Sequence, residues 1–170
     1  MKSATVKVTV DSKKVRDTLS ALPRRLNESI RKKAIRKVFK QPVKDLKNEF
    51  KTMNFAGKKP HRRAIASATK LLPPKRMGKP GSAINAVMGV QYGAKGGARA
   101  KGLQRVFHLL EDGFRHKSRG IRRFFGVGRF ISGNHRAKRW ANRNVSKIGN
   151  DLQDEILRLA KMELGSKNVS

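Results

Sequence analysis

The side chains able to do acid–base or metal chemistry are few, and their spacing suits neither. Glu111 and Asp112 are the only acidic pair in a long basic stretch, which makes them the candidate acid/base or metal position. General acid–base catalysis needs a positioned partner group, and a metal site needs several converging ligands. His61, His108, His116 and His135 stand in different segments with no HExxH-type pair, and two carboxylates alone do not make a metal site. The chain has no cysteine, which removes disulfides and thiolate metal sites. Gly126-Val127-Gly128 and the glycines from Gly93 to Gly102 lack the spacing of a phosphate-cradling loop. No catalytic residue, cofactor or metal is therefore expected, and the chain reads as a binding or structural protein rather than an enzyme. For Glu111 and Asp112 the expected role is structural: carboxylates that accept charged hydrogen bonds from arginine neighbours, beside a Gly113 that turns the chain.

Charge dominates everything else. The 170 residues carry 42 Lys and Arg against 11 Asp and Glu, a formal charge of +31. A free chain with that charge repels itself, most at low salt, and the usual counterweight is nucleic acid, whose phosphates exchange condensed counterions for Lys and Arg. A membrane surface or an acidic protein answers the same sign. No acid falls between Lys51 and Leu110, or between Gly113 and Asn150. Those stretches hold Lys58, Lys59, Arg62, Arg63, Lys75, Arg76, Lys79, Lys95, Arg99, Lys101, Arg115, Arg119, Arg122, Arg123 and Arg129 in largely loop-like sequence. These cations are the expected nucleic-acid or partner contacts, ordered by a polyanion or another subunit. No stretch approaches the roughly 20 apolar residues of a membrane span, and Met1 to Val10 lacks the apolar core of a signal peptide. No membrane partner is expected, and assembly in a cytoplasm is the simplest expectation.

The elements that must carry these charges follow from periodicity. Thr5 to Val10 alternates with the two-residue period of a strand. Asp11 and Ser12 are candidate caps for a short helix through Val15, Leu19 and Leu22, and Pro23 suits the first turn of a longer one. Leu26, Ile30, Ala34 and Val38, then Val43, Leu46, Phe50 and Met53, form one apolar stripe on a helix interrupted near Pro42. Arg31, Lys32, Lys33, Arg36, Lys37, Lys40, Lys44 and Lys47 fill the rest of its circumference. His61 to Leu72 reads as a short helix stopped by Pro73-Pro74, Ala83 to Tyr92 as a strand, and Leu103 to Glu111 as a helix ended by Gly113. Phe114 to Arg136 reads as a hairpin or an irregular arm, in which Phe124, Phe125 and Phe130 either enter a neighbour or finish the chain's own core. Val145, Ile148, Leu152, Ile156, Leu159 and Met162 hold the period of a final helix up to Gly165. The expected fold class is α+β: a small antiparallel sheet packed with a long N-terminal helix and a C-terminal amphipathic helix. Residues 1–170 suit a single domain, with mobile or partner-ordered basic loops at about 54–63, 73–82 and 93–102 and an arm at about 114–136.

The order of these elements, the Ala21-Leu22-Pro23 step, and the segment Val106-Phe107-His108-Leu109-Leu110-Glu111-Asp112-Gly113 together resemble the tail-completion, or head–tail joining, proteins of long-tailed bacteriophages. Those minor tail components share an aromatic-x-x-hydrophobic-hydrophobic-Glu-x-Gly-Thr segment in this place and a Pro-Phe approach to the last helix. Here Arg115 or His116 stands where Thr is common, and Arg139-Trp140-Ala141 replaces Pro-Phe, leaving Trp140 as the apolar anchor. The resemblance covers most of the chain. It implies a virion protein at the neck or head-proximal end of the tail, assembled in the host cytoplasm, that completes the tail and joins it to the DNA-filled head. The implied partners are further copies of the chain in a hexameric ring, the connector or stopper and tail-terminator or tape-measure proteins, and double-stranded DNA without sequence preference. Glu111, Asp112, Gly113 and Trp140 would be its structural motif. The alternative reading of the same residues is a sequence-independent nucleic-acid-binding protein, architectural or ribosome-associated.

Overall fold

Val6, Val8 and Val10 alternate with Lys7 and Thr9, and that alternation buries one face of a strand, β1 (Thr5–Val10), while the other meets solvent. The computed structural model describes residues 5–52, 59–72, 82–90, 113–115, 130–132 and 135–165. In it β1 joins a three-stranded antiparallel sheet whose order is β1, β3 (Ile84–Val90), β2 (Thr69–Leu72). Ile84, Ala86, Met88 and Val90 are buried, and on the exposed side Thr9 Oγ1 donates to Asn85 Oδ1 at 2.9 Å. With the helices below, this is an α+β fold.

The expected short helix is α1 (Lys13–Ser20), with Val15 and Leu19 buried. Ser12 is its N-cap but makes no side-chain capping bond, and Asp11 pairs instead with Arg16 at 2.9 Å. The carbonyl of Leu19 accepts both the Leu22 N–H at 3.3 Å and Nδ2 of the buried Asn27 at 2.7 Å, so the side chain reinforces the end of the helix.

The long N-terminal helix comes as α2 (Arg24–Val38) and α3 (Lys40–Lys51), with Pro23 at the N-cap of α2 rather than in its first turn. The interruption falls at Phe39, ahead of Pro42. Proline 42 offers no N–H and its ring crowds the carbonyl four residues back, that of Val38, so the ladder fails at the last residue of α2. Phe39 itself keeps right-handed helical dihedrals (φ −79°, ψ −4°). Its N–H reaches Ile35 O at 3.0 Å, and its own carbonyl accepts from Val43 at 3.1 Å. The helix is nicked there rather than ended.

Two sequence expectations need correction. The loop expected to run from 54 to 63 gives way at Lys59 to α4 (Lys59–Ala68). Pro60, whose fixed φ suits a first helical turn, explains why the helix starts there. The helix expected to continue to Leu72 stops at Ala68, and Thr69–Leu72 becomes β2. Thr69 is β-branched and buried, and its Oγ1 returns to Ile65 O at 3.1 Å, so the side chain closes the helix as the backbone leaves it.

The C-terminal helix is α5 (Arg136–Gly165), about 45 Å of continuous helix. His135, just before it, takes a left-handed conformation (φ 48°) and accepts from Arg139 N–H at 2.9 Å. Between Phe114 and Arg136 the described residues form a ladder: β4 (Gly113–Arg115) pairs antiparallel with β5 (Phe130–Ser132), with Phe114 opposite Ile131. Of the two forms expected for this arm, the hairpin is the one these six residues fit. The helix expected over Leu103–Glu111 lies outside the described residues, and Gly113 begins a strand.

The chain divides into two compact units, neither a continuous stretch: residues 1–5, 45–70 and 89–141 in one, and 6–44, 71–88 and 142–170 in the other. The first unit buries Leu46, Phe50, Ile65, Ala66, Ala137 and Trp140. Arg136, at the start of α5, joins the end of α3 through Glu49 Oε2 at 3.5 Å and Thr52 Oγ1 at 3.1 Å. The second unit packs Val6, Val8, Val15, Leu19, Ile30, Ala34, Phe39, Ile148, Leu152, Ile156 and Ala160 into its core. A Cβ placed on Gly149 would meet Val8 Cγ1 at 4.0 Å, which sets α5 directly on the buried face of β1. Each fully buried Leu or Ile contributes about 1.5–3 kcal/mol of transfer free energy to that seam.

Candidate polyanion-binding surface

From Arg24 to Lys51 the sequence holds eleven Lys and Arg against three acids, Glu28, Asp45 and Glu49. At about 100° of rotation per residue, a helix distributes these cations over distinct faces, and the folded chain treats each face differently.

The first group is buried. Asn27, Ile30, Arg31, Ala34 and Ile35 are the buried residues of α2, in the i, i+3, i+4, i+7, i+8 pattern of a core-facing stripe. Arg31 was expected on the basic surface with its neighbours, but it is 2% exposed, and neither its Nε nor its Nη2 has a hydrogen-bond partner. Burial pushes its pKa down, and the charge of Glu28 works in the opposite direction.

The second group is paired. Lys37 Nζ lies 3.1 Å from Glu155 Oε1, and Lys33 Nζ lies 3.8 Å from Glu163 Oε1, so α2 and α5 run antiparallel with two cations of one facing two acids of the other. Glu155 also takes two hydrogen bonds from Arg158, at 2.7 and 3.0 Å. Those bonds from Arg158, reinforced by Lys37, hold the Glu155 carboxyl down at about 2 despite its partial burial. At the helix start, Arg24 Nε meets Glu28 Oε1 at 3.2 Å.

The third group is free. Arg25, Lys32 and Arg36 fall within about 40° of one another around α2 and are exposed. On α3, Lys40, Lys44, Lys47 and Lys51 recur at i, i+4, i+7 and i+11, within about 60° of one another, but Lys47 is half-buried and Lys51 donates to Asn48 Oδ1 at 3.4 Å. Arg25, Lys32, Arg36, Lys40 and Lys44 are all exposed, all lie in the second unit, and make no ion pair among the described residues. The nearest acid on the same side of α2, Glu28, is already engaged by Arg24. Sequence reading named most of these lysines as a basic face but gave the contact role to the loops. No local spacing separates the free cations from the paired ones, because the acids that hold Lys33 and Lys37 come from a helix more than a hundred residues along the chain.

Of the cations expected to make contacts, Arg63 is exposed on α4, Lys59 and Arg62 also belong to that helix rather than to a loop, and Arg115 lies in β4. Lys58, Lys75, Arg76, Lys79, Lys95, Arg99, Lys101, Arg119, Arg122, Arg123 and Arg129 lie outside the described residues, as do Glu111 and Asp112. Trp140 is 4% exposed, an apolar anchor at the start of α5. Among the described residues no group of His, Asp and Glu could hold a metal ion, and no helix is long and apolar enough to cross a membrane.

No protein-family model matches the chain, nor does any curated protein or any solved structure.

Proposed function

We propose that the chain is a structural protein of the phage neck, at the head-proximal end of the tail, which completes the tail and joins it to the DNA-filled head. The observation that supports this reading is the order of elements around its landmarks. A strand leads to a long helix opening at Leu22-Pro23; a short helix, a strand and Gly113 follow; and a buried Trp140 opens the last helix. The resemblance to tail-completion proteins implies this order with one more helix before Gly113, over residues that lie outside those described. The function is positional: the protein sits in the virion as a ring, six copies favoured, between the connector or stopper and the tail-terminator or tape-measure proteins, after assembly in the host cytoplasm. The charge of +31 per copy gives a physical reason for assembly on a partner, since six such copies repel one another until a polyanion or an acidic ring neutralises them. No catalytic step is part of this role.

Mass photometry of the purified chain across a salt series, with and without a short duplex, tests the reading. Particles near six times the 19.1 kDa of one chain, with or without DNA, are expected. Monomers that coat DNA only at low salt would favour the second reading, a sequence-independent nucleic-acid binder. The observation on the side of that alternative is the set of exposed, unpaired cations on α2 and α3.

A further inference from the structure

We propose that the exposed, unpaired cations Arg25, Lys32 and Arg36 of α2, together with Lys40 and Lys44 of α3, are a docking surface for the phosphate backbone of double-stranded DNA. The inference deepens the proposed function by naming which face of the folded chain meets DNA, and it moves the contact from the loops to a rigid helical surface. On α2 the three cations span about 16 Å along one side of the helix, and on α3 the two lysines rise about 6 Å and lie about 60–100° around from Arg25, so the cations recur about every one or two turns over a broad arc. A duplex offers one negative charge per about 1.7 Å of its axis, so each of these side chains finds a phosphate without a fixed register.

Composition chooses the occupant. A protein-binding face would carry an apolar or aromatic centre and would be poor in lysine. Around these cations the uncharged polar neighbours include Ser29 and Gln41; Ile30, Ala34, Ile35, Leu46 and Phe50 are buried, and Leu26, Val38 and Val43 are half-buried, so no large apolar side chain is fully exposed among them. Single-stranded nucleic acid is held by aromatic stacking platforms, and none stands among these cations. Three of the five cations are lysines, point charges suited to phosphates rather than to base edges, so the contact should be blind to sequence. The same helix supplies its own control: Lys33 and Lys37, about one turn apart, are held by Glu163 and Glu155.

The test is fluorescence anisotropy of a labelled duplex of about 30 base pairs and mixed sequence, titrated with the full chain across a salt series. Replacing Arg25, Lys32, Arg36, Lys40 and Lys44 together by Gln should make the slope of log K on log salt shallower by about four. Affinity near 0.1 M salt should fall on the order of a thousandfold. If that chain does not fold, by circular dichroism, the triple change Arg25→Gln, Lys32→Gln and Arg36→Gln should still remove about three from the slope. The control, Lys33→Gln with Lys37→Gln, should change the slope by less than one. An unchanged slope in the fivefold and triple variants, or an equal loss in the control, overturns the proposal. So does either variant if it keeps DNA affinity but loses binding to poly-L-glutamate, which would assign the face to an acidic protein. Ring formation is read separately by mass photometry. Rings without a salt-slope effect sink this inference alone, and a salt-slope effect without rings sinks the neck reading alone.

Discussion

Lys32 and Lys33 are consecutive residues of the same type on the same helix, yet the fold gives them opposite circumstances. Lys33 turns toward α5 and meets Glu163, while Lys32 turns away and shares its side of α2 with Arg25 and Arg36. One residue further back, Arg31 is buried with two unpartnered nitrogens. Rotation of about 100° per residue thus sorts one basic run into a buried cation, a paired row and a free row. The lesson is that net charge says little about where a polyanion binds. What matters is which cations the fold leaves without an acid, and here the acids of α5 are matched to one row only.

The largest expected effect concerns the buried member. A guanidinium with unsatisfied donors in the core carries a desolvation penalty, and replacing such a charge by an apolar side chain of similar volume is often stabilising by about 1–4 kcal/mol. Arg31→Met should therefore raise the unfolding midpoint, by about 2–4 °C for each kcal/mol in a chain of this size, and leave DNA affinity unchanged. A thermal melt followed by circular dichroism measures the first and anisotropy the second. A lower midpoint would mean that the remaining nitrogen of Arg31 anchors the core, and the contrast among three kinds of cation would reduce to two.

The next effect converts the free row into a paired one. Ser29 stands four residues after Arg25, three before Lys32 and four before Lys33. Glu28 is held by Arg24, so glutamate at position 29 would add an uncommitted acid within reach of Arg25 and Lys32. Ser29→Glu should weaken DNA binding about tenfold and make its salt slope shallower by about one, with stability changed by only a few tenths of a kcal/mol. Ser29→Gln should do neither. If both variants bind alike, the freedom of the row from acids is not what makes it a binding surface.

Much of this architecture was legible in the sequence, and the parts that were not share a cause. Period-two alternation gave β1 and β3, and the apolar repeat through Ile148, Leu152 and Ile156 gave α5, because each pattern reports a single buried face. The reading of α2 failed in detail because it followed apolar residues four apart, Leu26 to Val38, which drift about 40° per step around a helix. The face that is buried includes Asn27 and Arg31, and no rule based on hydrophobicity places an asparagine and an arginine in a core. Asn27 belongs there because its amide caps the carbonyl of Leu19, a tertiary contact eight residues back. The end of α4 was missed for a similar reason: Thr69–Leu72 suits either element alone, and pairing in the sheet decides for the strand. The paired and free rows could not be told apart because the acids that divide them, Glu155 and Glu163, lie more than a hundred residues away.

A pH titration sharpens the paired side. The Glu155 carboxyl sits at about 2 in the folded chain against an ordinary 4.5, so its bonds to Arg158 and Lys37 contribute stability above pH 4.5. That contribution is lost as pH falls toward 2, where the carboxyl protonates. Glu155→Gln should be less stable than the parent at neutral pH, and the gap should close between pH 4.5 and about 2. Denaturant midpoints at a series of pH values provide the reading. A gap that stays constant with pH would show that Glu155 contributes through packing rather than through its charge.

The smallest effect bears on whether pairing itself stabilises the fold. Lys33 and Glu163 are 3.8 Å apart, with the lysine side chain 62% exposed and the glutamate 35%, a geometry in which water screens most of the attraction. Exposed pairs of this kind typically couple by about 0.2–1 kcal/mol. A double-mutant cycle with Lys33→Gln and Glu163→Gln, followed by denaturant unfolding, should therefore give a coupling below about 0.5 kcal/mol. That small number is compatible with a large functional difference between neighbouring lysines. A phosphate competing for Lys33 must displace a carboxylate already in place, whereas one approaching Lys32 displaces only water and counterions. A coupling well above 1 kcal/mol would instead make the α2–α5 pairs a clamp on the fold, and the acids of α5 would then be explained by stability rather than by the sorting of cations.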